Sequence, residues 1–233
     1  MNAAPQALCC ALVGSAQALV IDDSTRADHF YLDRTDHCRY LAEYRPGVYG
    51  GDRVTELVAD FKCPPSLAAR NRTENHRKLR AIRAIAMALR GAVNRNEVES
   101  ATWVPIPPSS AVDDPDYDDR LQRVLATAFG GYDLDARLLL RQSCSTNADH
   151  RATTRLGFQA LYSVIYLDLE AMRAKPIRTH VVLFDDILTT GKHYKCCERR
   201  VREVLSKIPI CGWFVARRAL SQRCRRVPAA DLR

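Results

Sequence analysis

The stretch from His180 to Lys195, "HVVLFDDILTTGKHYK", decides the fold expected for this chain of 233 residues. The run from His180 to Phe184 is mainly apolar, as in a strand that helices cover on both faces. Two adjacent acids, Asp185 and Asp186, come next, followed by a Thr-Thr-Gly turn and a helix-favouring segment. The stretch therefore predicts a buried strand, a turn and a helix, with two carboxylates just beyond the carboxyl end of the strand.

The turn at Thr189–Gly191 has the composition of an anion site. Hydroxyls and free backbone amides at the N-terminus of a helix favour phosphate, and the helix dipole adds to this preference. Gly191 permits a positive φ or a close approach of the backbone. Carboxylates beside a phosphate would repel it unless they bind hydroxyls or share a magnesium ion. The pattern therefore predicts a site for a phosphorylated sugar, with hydroxyls on Asp185 and Asp186 and the phosphate on the turn.

Two other interpretations of the same residues are weaker. A Walker A loop needs glycine five positions before Gly191, where the chain has Asp186, and Ser or Thr at position 193, where it has histidine. A threonine that caps the following helix is a purely structural alternative. That alternative accounts for one threonine but leaves the two adjacent acids unexplained.

The wider sequence predicts an α/β fold with a mainly parallel sheet flanked by helices. Between about residues 100 and 220, strand patterns ("ATWVPIPP", "THVVLFDDI", "CGWFVARRA") alternate with helix patterns ("DDRLQRVLATAFGG", "HYKCCERRVREVLSKI"). We expect residues 96–233 to form this core. Residues 1–95 are expected to form an N-terminal α+β appendage or hood, with an amphipathic helix from about Glu74 to Arg90.

The segment "VVLFDDILTTGKH" resembles the signature with which type I phosphoribosyltransferases bind 5-phosphoribosyl 1-pyrophosphate (PRPP). The resemblance implies a parallel sheet flanked by helices and a smaller hood that recognises the acceptor. It implies that Asp185 and Asp186 are the catalytic pair, holding the ribose hydroxyls and Mg²⁺ through the ligand or water. The residues implied for the 5′-phosphate are Thr189, Thr190, Gly191, Lys192 and His193. His193 departs from the Thr or Ser that is usual in the family.

Other segments are similar to the ComF-like branch of that family. "WVPIPPSS" resembles its first strand and pyrophosphate loop, which implies roles for Ser109, Ser110 and Arg120, and "VTELVADFK" resembles an upstream segment. "ARLLLRQSCSTNADHRATTRL" lies where the branch has its mobile catalytic loop, which implies roles for His150 and Arg151. The loop after "WVPIPP" is acidic, so a solvent-exposed loop that leads to a helix cap is an equally good interpretation. An ordinary polar loop also remains open for His150 and Arg151.

Composition limits the class of protein and its partners. The chain has 35 Lys and Arg against 27 Asp and Glu, a net charge of +8, which favours phosphorylated metabolites or nucleic acid as partners. Solvated helix faces explain many of the arginines equally well. Its nine cysteines contain no C-x-x-C pair, which disfavours a zinc site and predicts reduced thiols in a cytoplasmic protein.

The first twenty residues are apolar but carry no Lys or Arg, so we expect a buried strand or short helix there and not a signal peptide. No later stretch approaches the ~18 uninterrupted apolar residues that span a bilayer, so no membrane partner is expected.

Three functions remain open from the sequence. The first is a PRPP-dependent glycosyltransferase (a pentosyltransferase) that passes phosphoribosyl to a nitrogen acceptor. The second is a module that senses PRPP or a nucleotide without catalysis. The third is an effector of a competence or phage-defence system with a nucleic-acid or nucleoprotein partner. The sequence identifies no acceptor, and it leaves a homo-oligomer open.

Overall fold

The computed structural model describes residues 18–46, 52–146 and 157–220. Within these ranges the strands are β1 (Leu19–Val20), β2 (His37–Tyr44), β3 (Ala101–Pro105), β4 (Asp135–Ala136), β5 (Leu140–Gln142), β6 (Ile165–Leu167), β7 (His180–Leu188) and β8 (Ile210–Arg218). The helices are α1 (Asp23–Arg26), α2 (Arg53–Phe61), α3 (Pro65–Arg70), α4 (Arg72–Ala92), α5 (Arg95–Ser100), α6 (Arg120–Phe129), α7 (Phe158–Val164), α8 (Leu169–Arg173) and α9 (Lys192–Val204).

The main sheet is six-stranded in the described ranges, with the order β1-β2-β8-β7-β3-β4. All neighbours from β2 to β4 are parallel, and only the edge strand β1 is antiparallel. The prediction of a mainly parallel sheet flanked by helices is therefore confirmed. Because β7 lies between β3 and β8, the carboxyl end of β7 opens at the middle of the sheet, where ligands bind in open α/β folds.

The strand that carries the two acids continues past both of them, as the strand pattern "THVVLFDDI" indicated. We placed Asp185 beyond the carboxyl end of the strand, but β7 continues to Leu188. The ladder to β8 continues because β8 is equally long, with Asp185 opposite Phe214 and Leu188 opposite Arg217. Both acids therefore lie within the hydrogen-bonded part of β7, and the sheet holds their backbone.

Two hydrophobic clusters cover the two faces of the sheet. One contains the fully buried Trp103 and Trp213 together with α2, α4 and α6, and the amphipathic helix predicted at Glu74 to Arg90 is confirmed as part of α4. The other contains residues of α7, β6 and α9. Strand β2, from the region predicted as an appendage, pairs in parallel with β8, so the N-terminal and later regions share one sheet.

Strands β5 and β6 form a separate antiparallel pair, with residues 143–164 between them. His150 and Arg151, predicted for a mobile loop, lie outside the described residues, as do the first 17 residues. The cysteines of the described ranges carry free thiols. None of the described helices combines the length and the apolar character needed to cross a membrane.

Candidate functional site

The turn between β7 and α9 requires glycine for two reasons. Gly191 is the N-cap of α9 and has a φ of 81°, in the left-handed region that side chains with a Cβ avoid. A Cβ at this position would also lie 2.9 Å from Cγ and Cδ2 of Leu32. The turn is therefore held in a tight conformation against the N-terminal segment of the chain.

The N-terminal segment binds the carbonyl groups of this turn. The Tyr31 amide donates to the Thr190 carbonyl at 2.9 Å, and Nδ1 of the buried His29 donates to the Thr189 carbonyl. Burial lowers the pKa of His29, so the ring is neutral near pH 7. With both carbonyls satisfied on this side, the peptide units keep a single orientation.

Two amides of the turn have no acceptor in the described part of the chain. The ladder between β7 and β8 runs to the pairing of Leu188 with Arg217 and so reaches the start of the turn, but no described residue accepts a hydrogen bond from the backbone N–H of Thr190 or Gly191. Thr190 Oγ1 accepts from the Lys192 amide at a long 3.4 Å, and α9 has no other side-chain cap at its N-cap residue. Threonine capping therefore accounts for little of this turn. What remains is a group of aligned donors at the N-terminus of a 13-residue helix, which is an arrangement suited to an anion.

The other residues predicted for the phosphate lie on the same turn and the first turn of α9. Thr189 is exposed and Thr190 is partly buried, so at least one hydroxyl reaches solvent. Lys192 is buried and His193 is partly buried at the start of α9. The structure thus brings together all five residues predicted for the phosphate, with Thr189 the most exposed and Lys192 buried.

The two acids do not share one environment. Val182 and Phe184 belong to the hydrophobic cluster of α2, α4 and α6, and Val181 and Leu183 belong to the cluster of α9. Because side chains alternate along a strand, Asp186 lies on the same face of the sheet as Val182 and Phe184. Asp185 lies on the other face, with Val181 and Leu183. Asp185 Oδ1 accepts the Asp186 amide at 2.7 Å. The acids therefore reach the end of the sheet from opposite faces.

Asp186 is bound by two cations. Its Oδ2 accepts from Nη2 of Arg120, and Nζ of Lys62 lies 3.2 Å from the same oxygen. Burial opposes the ionisation of Asp186, but Lys62 and Arg120 outweigh burial and bring its pKa well below the usual range. Burial, reinforced by the neighbouring negative charge, raises the pKa of Asp185 to about 8. Near pH 7 the pair therefore holds one proton, on Asp185.

Arg120 is also part of a wider network of ion pairs that the sequence did not predict. Nη1 of Arg120 donates to Asp118 at 2.8 Å, and the buried Lys78 donates to the same carboxylate at 2.6 Å. Lys78 also donates to the Cys63 carbonyl at 2.6 Å. Lys62 lies in the segment "VTELVADFK", but a single lysine in an amphipathic helix pattern gives no signal of a charged partner in a distant strand.

The loop after β3 is tied to the residues that follow β5. The Ser109 carbonyl accepts from Nε2 of Gln142 and from the Thr146 amide, both at 2.7 Å. The Ala111 amide donates to Oγ of Ser145 at 3.0 Å. Of the three residues predicted for the pyrophosphate, Arg120 contacts Asp186, while Ser109 and Ser110 make no contact with either acid in the described ranges. The predicted side-chain cap of α6 is absent at Asp119, but Asp118 Oδ1 accepts the Arg120 amide at 3.1 Å.

The acid pair does not fit a resident magnesium ion. In the described ranges, no group of three or more His, Cys, Asp or Glu side chains is arranged to hold a metal. Oδ2 of Asp186 already binds Lys62 and Arg120, and Oδ1 of Asp185 already accepts the Asp186 amide. Carboxylates in these states are poor ligands for Mg²⁺, which requires ionised oxygen ligands in octahedral geometry.

Comparisons with known proteins found no relative. No family model and no curated protein matches the sequence, and no solved structure matches the fold.

Proposed function

We propose that the protein binds a phosphorylated ribose, with PRPP as the ligand that best fits the site. The supporting observation is the turn Thr189–Gly191. The carbonyls of Thr189 and Thr190 are bound by His29 and Tyr31, and the amides of Thr190 and Gly191 meet no acceptor among the described residues. A phosphate at the N-terminus of α9 would receive these donors without rearrangement of the turn, which is the condition for strong electrostatic binding.

The ribose of such a ligand lies towards Asp185 and Asp186 in this proposal. The protonated carboxyl of Asp185 can donate a hydrogen bond to a hydroxyl oxygen, whereas the ionised Asp186 can only accept one. Two carboxyl groups in different protonation states therefore complement a pair of hydroxyls, each of which both donates and accepts.

We propose phosphoribosyl transfer as the reaction of this site. The bond between C1′ and the pyrophosphate oxygen breaks, and the electron pair leaves with pyrophosphate. A nitrogen of the acceptor forms the new bond to C1′ and gives up a proton to solvent. Arg120 would stabilise the departing negative charge, and the carboxylate of Asp186 would lie near the positive charge that develops on the ribose.

A PRPP-sensing module without catalysis is the second candidate. Two observations favour it. Asp186 is already paired with two cations. The loop after β3 carries several acids near the position expected for the leaving group and is tied to residues 142–146. A ligand could bind at the turn while the leaving group stays poorly stabilised.

Thermal unfolding with added ligands tests the proposal. PRPP, ribose 5-phosphate and AMP are each added with and without Mg²⁺, and a ligand at a hundred times its Kd should add about 2.7 kcal/mol of stability. For a chain of this size that corresponds to a rise in Tm of about 5–10 °C. The variant Thr189→Val removes an exposed hydroxyl of the turn and should reduce the shift. Thr179→Val, which changes an exposed threonine at the opposite end of β7, serves as the matched control.

The two candidates differ in turnover. Release of pyrophosphate from bound PRPP in the presence of nucleobases supports the transferase, and binding without release supports the sensor. No rise in Tm with any of the three ligands would refute both.

A further inference from the structure

One side of the turn between β7 and α9 is held by residues 29–32, from the N-terminal part of the chain. Nδ1 of His29 donates to the Thr189 carbonyl, and the Tyr31 amide donates to the Thr190 carbonyl at 2.9 Å. A peptide unit is planar and trans, so its N–H points away from its C=O. The N–H of each of these two peptide units, which belongs to the following residue, therefore points to the opposite side of the turn.

His29 is completely buried, and packing alone does not account for a histidine at this position. A carbonyl oxygen can only accept a hydrogen bond, so Nδ1 carries the hydrogen. Nε2 is then left buried and without a hydrogen-bond partner in the described ranges. An unpaired buried polar atom is costly, and a leucine would fill a similar space without this cost. The hydrogen bond to the turn is what the imidazole ring adds.

The segment that carries His29 is anchored to the strand that pairs with β7. Asp28 Oδ2 accepts from Nη1 of Arg217 at 2.9 Å, and the two side chains are only 1% and 4% exposed. Arg217 lies on β8 opposite Leu188, the last residue of β7. Nη2 of Arg217 also donates to Glu43 on β2. A closed ring of contacts thus runs from β7 through β8 and Asp28 to His29 and back to the turn.

Short contacts make the segment itself rigid. The His29 amide donates to the Arg26 carbonyl at 2.8 Å, and the Leu32 amide donates to the His29 carbonyl at 2.9 Å. The side chain of Leu32 lies against Gly191, where an added Cβ would be 2.9 Å from two of its carbons. The ring of His29 therefore meets the turn in one position.

We propose that His29 is a positioning residue for the phosphate of the ligand, and that Asp28 and Arg217 hold it in place. His29 directs the Thr190 N–H towards the phosphate by binding the carbonyl of the same peptide unit. This inference rests on the proposed function for the identity of the anion. It assigns roles to three residues that no sequence pattern singled out.

NMR relaxation of the ligand-free chain tests the positioning directly. The order parameter of the Thr190 amide should be about 0.85, as for a rigid backbone, and His29→Leu should lower it towards the ~0.6 of a flexible one. His29→Asn places an amide donor close to the position of Nδ1 and should largely restore the order parameter. His180→Asn, which changes a histidine at the opposite end of β7, should match the unchanged chain.

The affinity for ribose 5-phosphate, measured by calorimetry, tests the consequence for binding. We expect His29→Leu to weaken it by about tenfold or more, as for loss of one aligned donor to a charged group, and His29→Asn to stay within about threefold. Urea unfolding of each variant without ligand gives its stability. A purely structural role would lower stability and leave the affinity of the folded chain unchanged.

If His29→Leu does not fold, the unchanged chain decides the inference. The nitrogen chemical shifts of the neutral His29 ring identify the nitrogen that carries the hydrogen. The inference requires the hydrogen on Nδ1, and a ring with the hydrogen on Nε2 would overturn it.

The outcomes separate this inference from the proposed function. If His29→Leu leaves either the Thr190 order parameter or the affinity for ribose 5-phosphate unchanged, the inference is overturned, even where PRPP still raises Tm. If the order parameter falls in His29→Leu and recovers in His29→Asn, but no phosphorylated ribose binds the unchanged chain, His29 still orients the turn and the proposed function is refuted.

Discussion

The protonation of Asp185 predicts an unusual dependence of stability on pH. Burial and the adjacent Asp186 raise the pKa of Asp185 to about 8, whereas in the unfolded chain it would be about 3.9. The folded state therefore binds a proton that the unfolded state has lost. Stability from this group is fully present below pH 4 and is lost as the pH rises towards 8.

The size of the effect follows from proton linkage. Each pH unit between the two pKa values costs about 1.4 kcal/mol, and the slope halves at the folded pKa. Between pH 6.5 and pH 8 the contribution of Asp185 to the free energy of unfolding should fall by about 1.6 kcal/mol, which corresponds to about 3–6 °C in Tm. The lowered pKa values of His29 and His180 act in the opposite direction, most strongly below pH 6.5, so the contribution of Asp185 is obtained as the difference between the unchanged chain and an Asp185 variant.

The measurement is urea unfolding at four pH values from 6.5 to 8. Asp185→Asn mimics the protonated acid and keeps an oxygen to accept the Asp186 amide, so it should lack the contribution of Asp185 to the slope. Asp113→Asn changes an exposed acid and should keep the slope of the unchanged chain. An Asp185→Asn variant whose stability changes with pH as that of the unchanged chain does would refute the assignment of the proton to Asp185.

Two further predictions concern stability. Gly191→Ala should lower the free energy of unfolding by about 1–3 kcal/mol, because a positive φ is strained for alanine and the new Cβ meets a leucine side chain. Gly131 has a φ of 89° and open space around it, so Gly131→Ala introduces backbone strain but no steric clash and should lower the free energy of unfolding by less. Equal losses in the two variants would show that the clash with Leu32 contributes nothing. Lys78→Met breaks the buried pair with Asp118 and should cost about 3 kcal/mol, whereas Arg77→Met, at a surface pair, should cost under about 1 kcal/mol. Denaturant midpoints measure all four variants, and a Lys78→Met variant as stable as Arg77→Met would show that the buried pair contributes nothing.

Local patterns were sufficient to predict the fold class. The apolar run before Asp185 and the alternation of strand and helix signals predicted the parallel sheet, and the spacing of apolar residues predicted α4. The turn was also predicted from a local pattern, because a Thr-Thr-Gly sequence at the start of a helix restricts the conformation of the backbone. Proposals for its ligand rest on this local chemistry and on a family resemblance.

Only the tertiary structure decided the state of the acids. Asp185 and Asp186 are identical in type and adjacent in sequence, yet strand alternation directs them to different faces. Asp186 forms ion pairs with Lys62 and Arg120, whereas burial and the neighbouring charge of Asp186 raise the pKa of Asp185. No sequence pattern specifies these environments, because each depends on which helix covers which face of the sheet.

The sequence by itself determined a strand, a glycine turn and a helix, because these depend on neighbours a few residues apart. The tertiary structure decided which groups of the turn stay available and which acid carries a charge. His29 meets the Thr189 carbonyl from a position 160 residues away in the chain. Contacts of this kind arise only when the sheet brings distant segments together, and burial then sets the protonation of the groups enclosed.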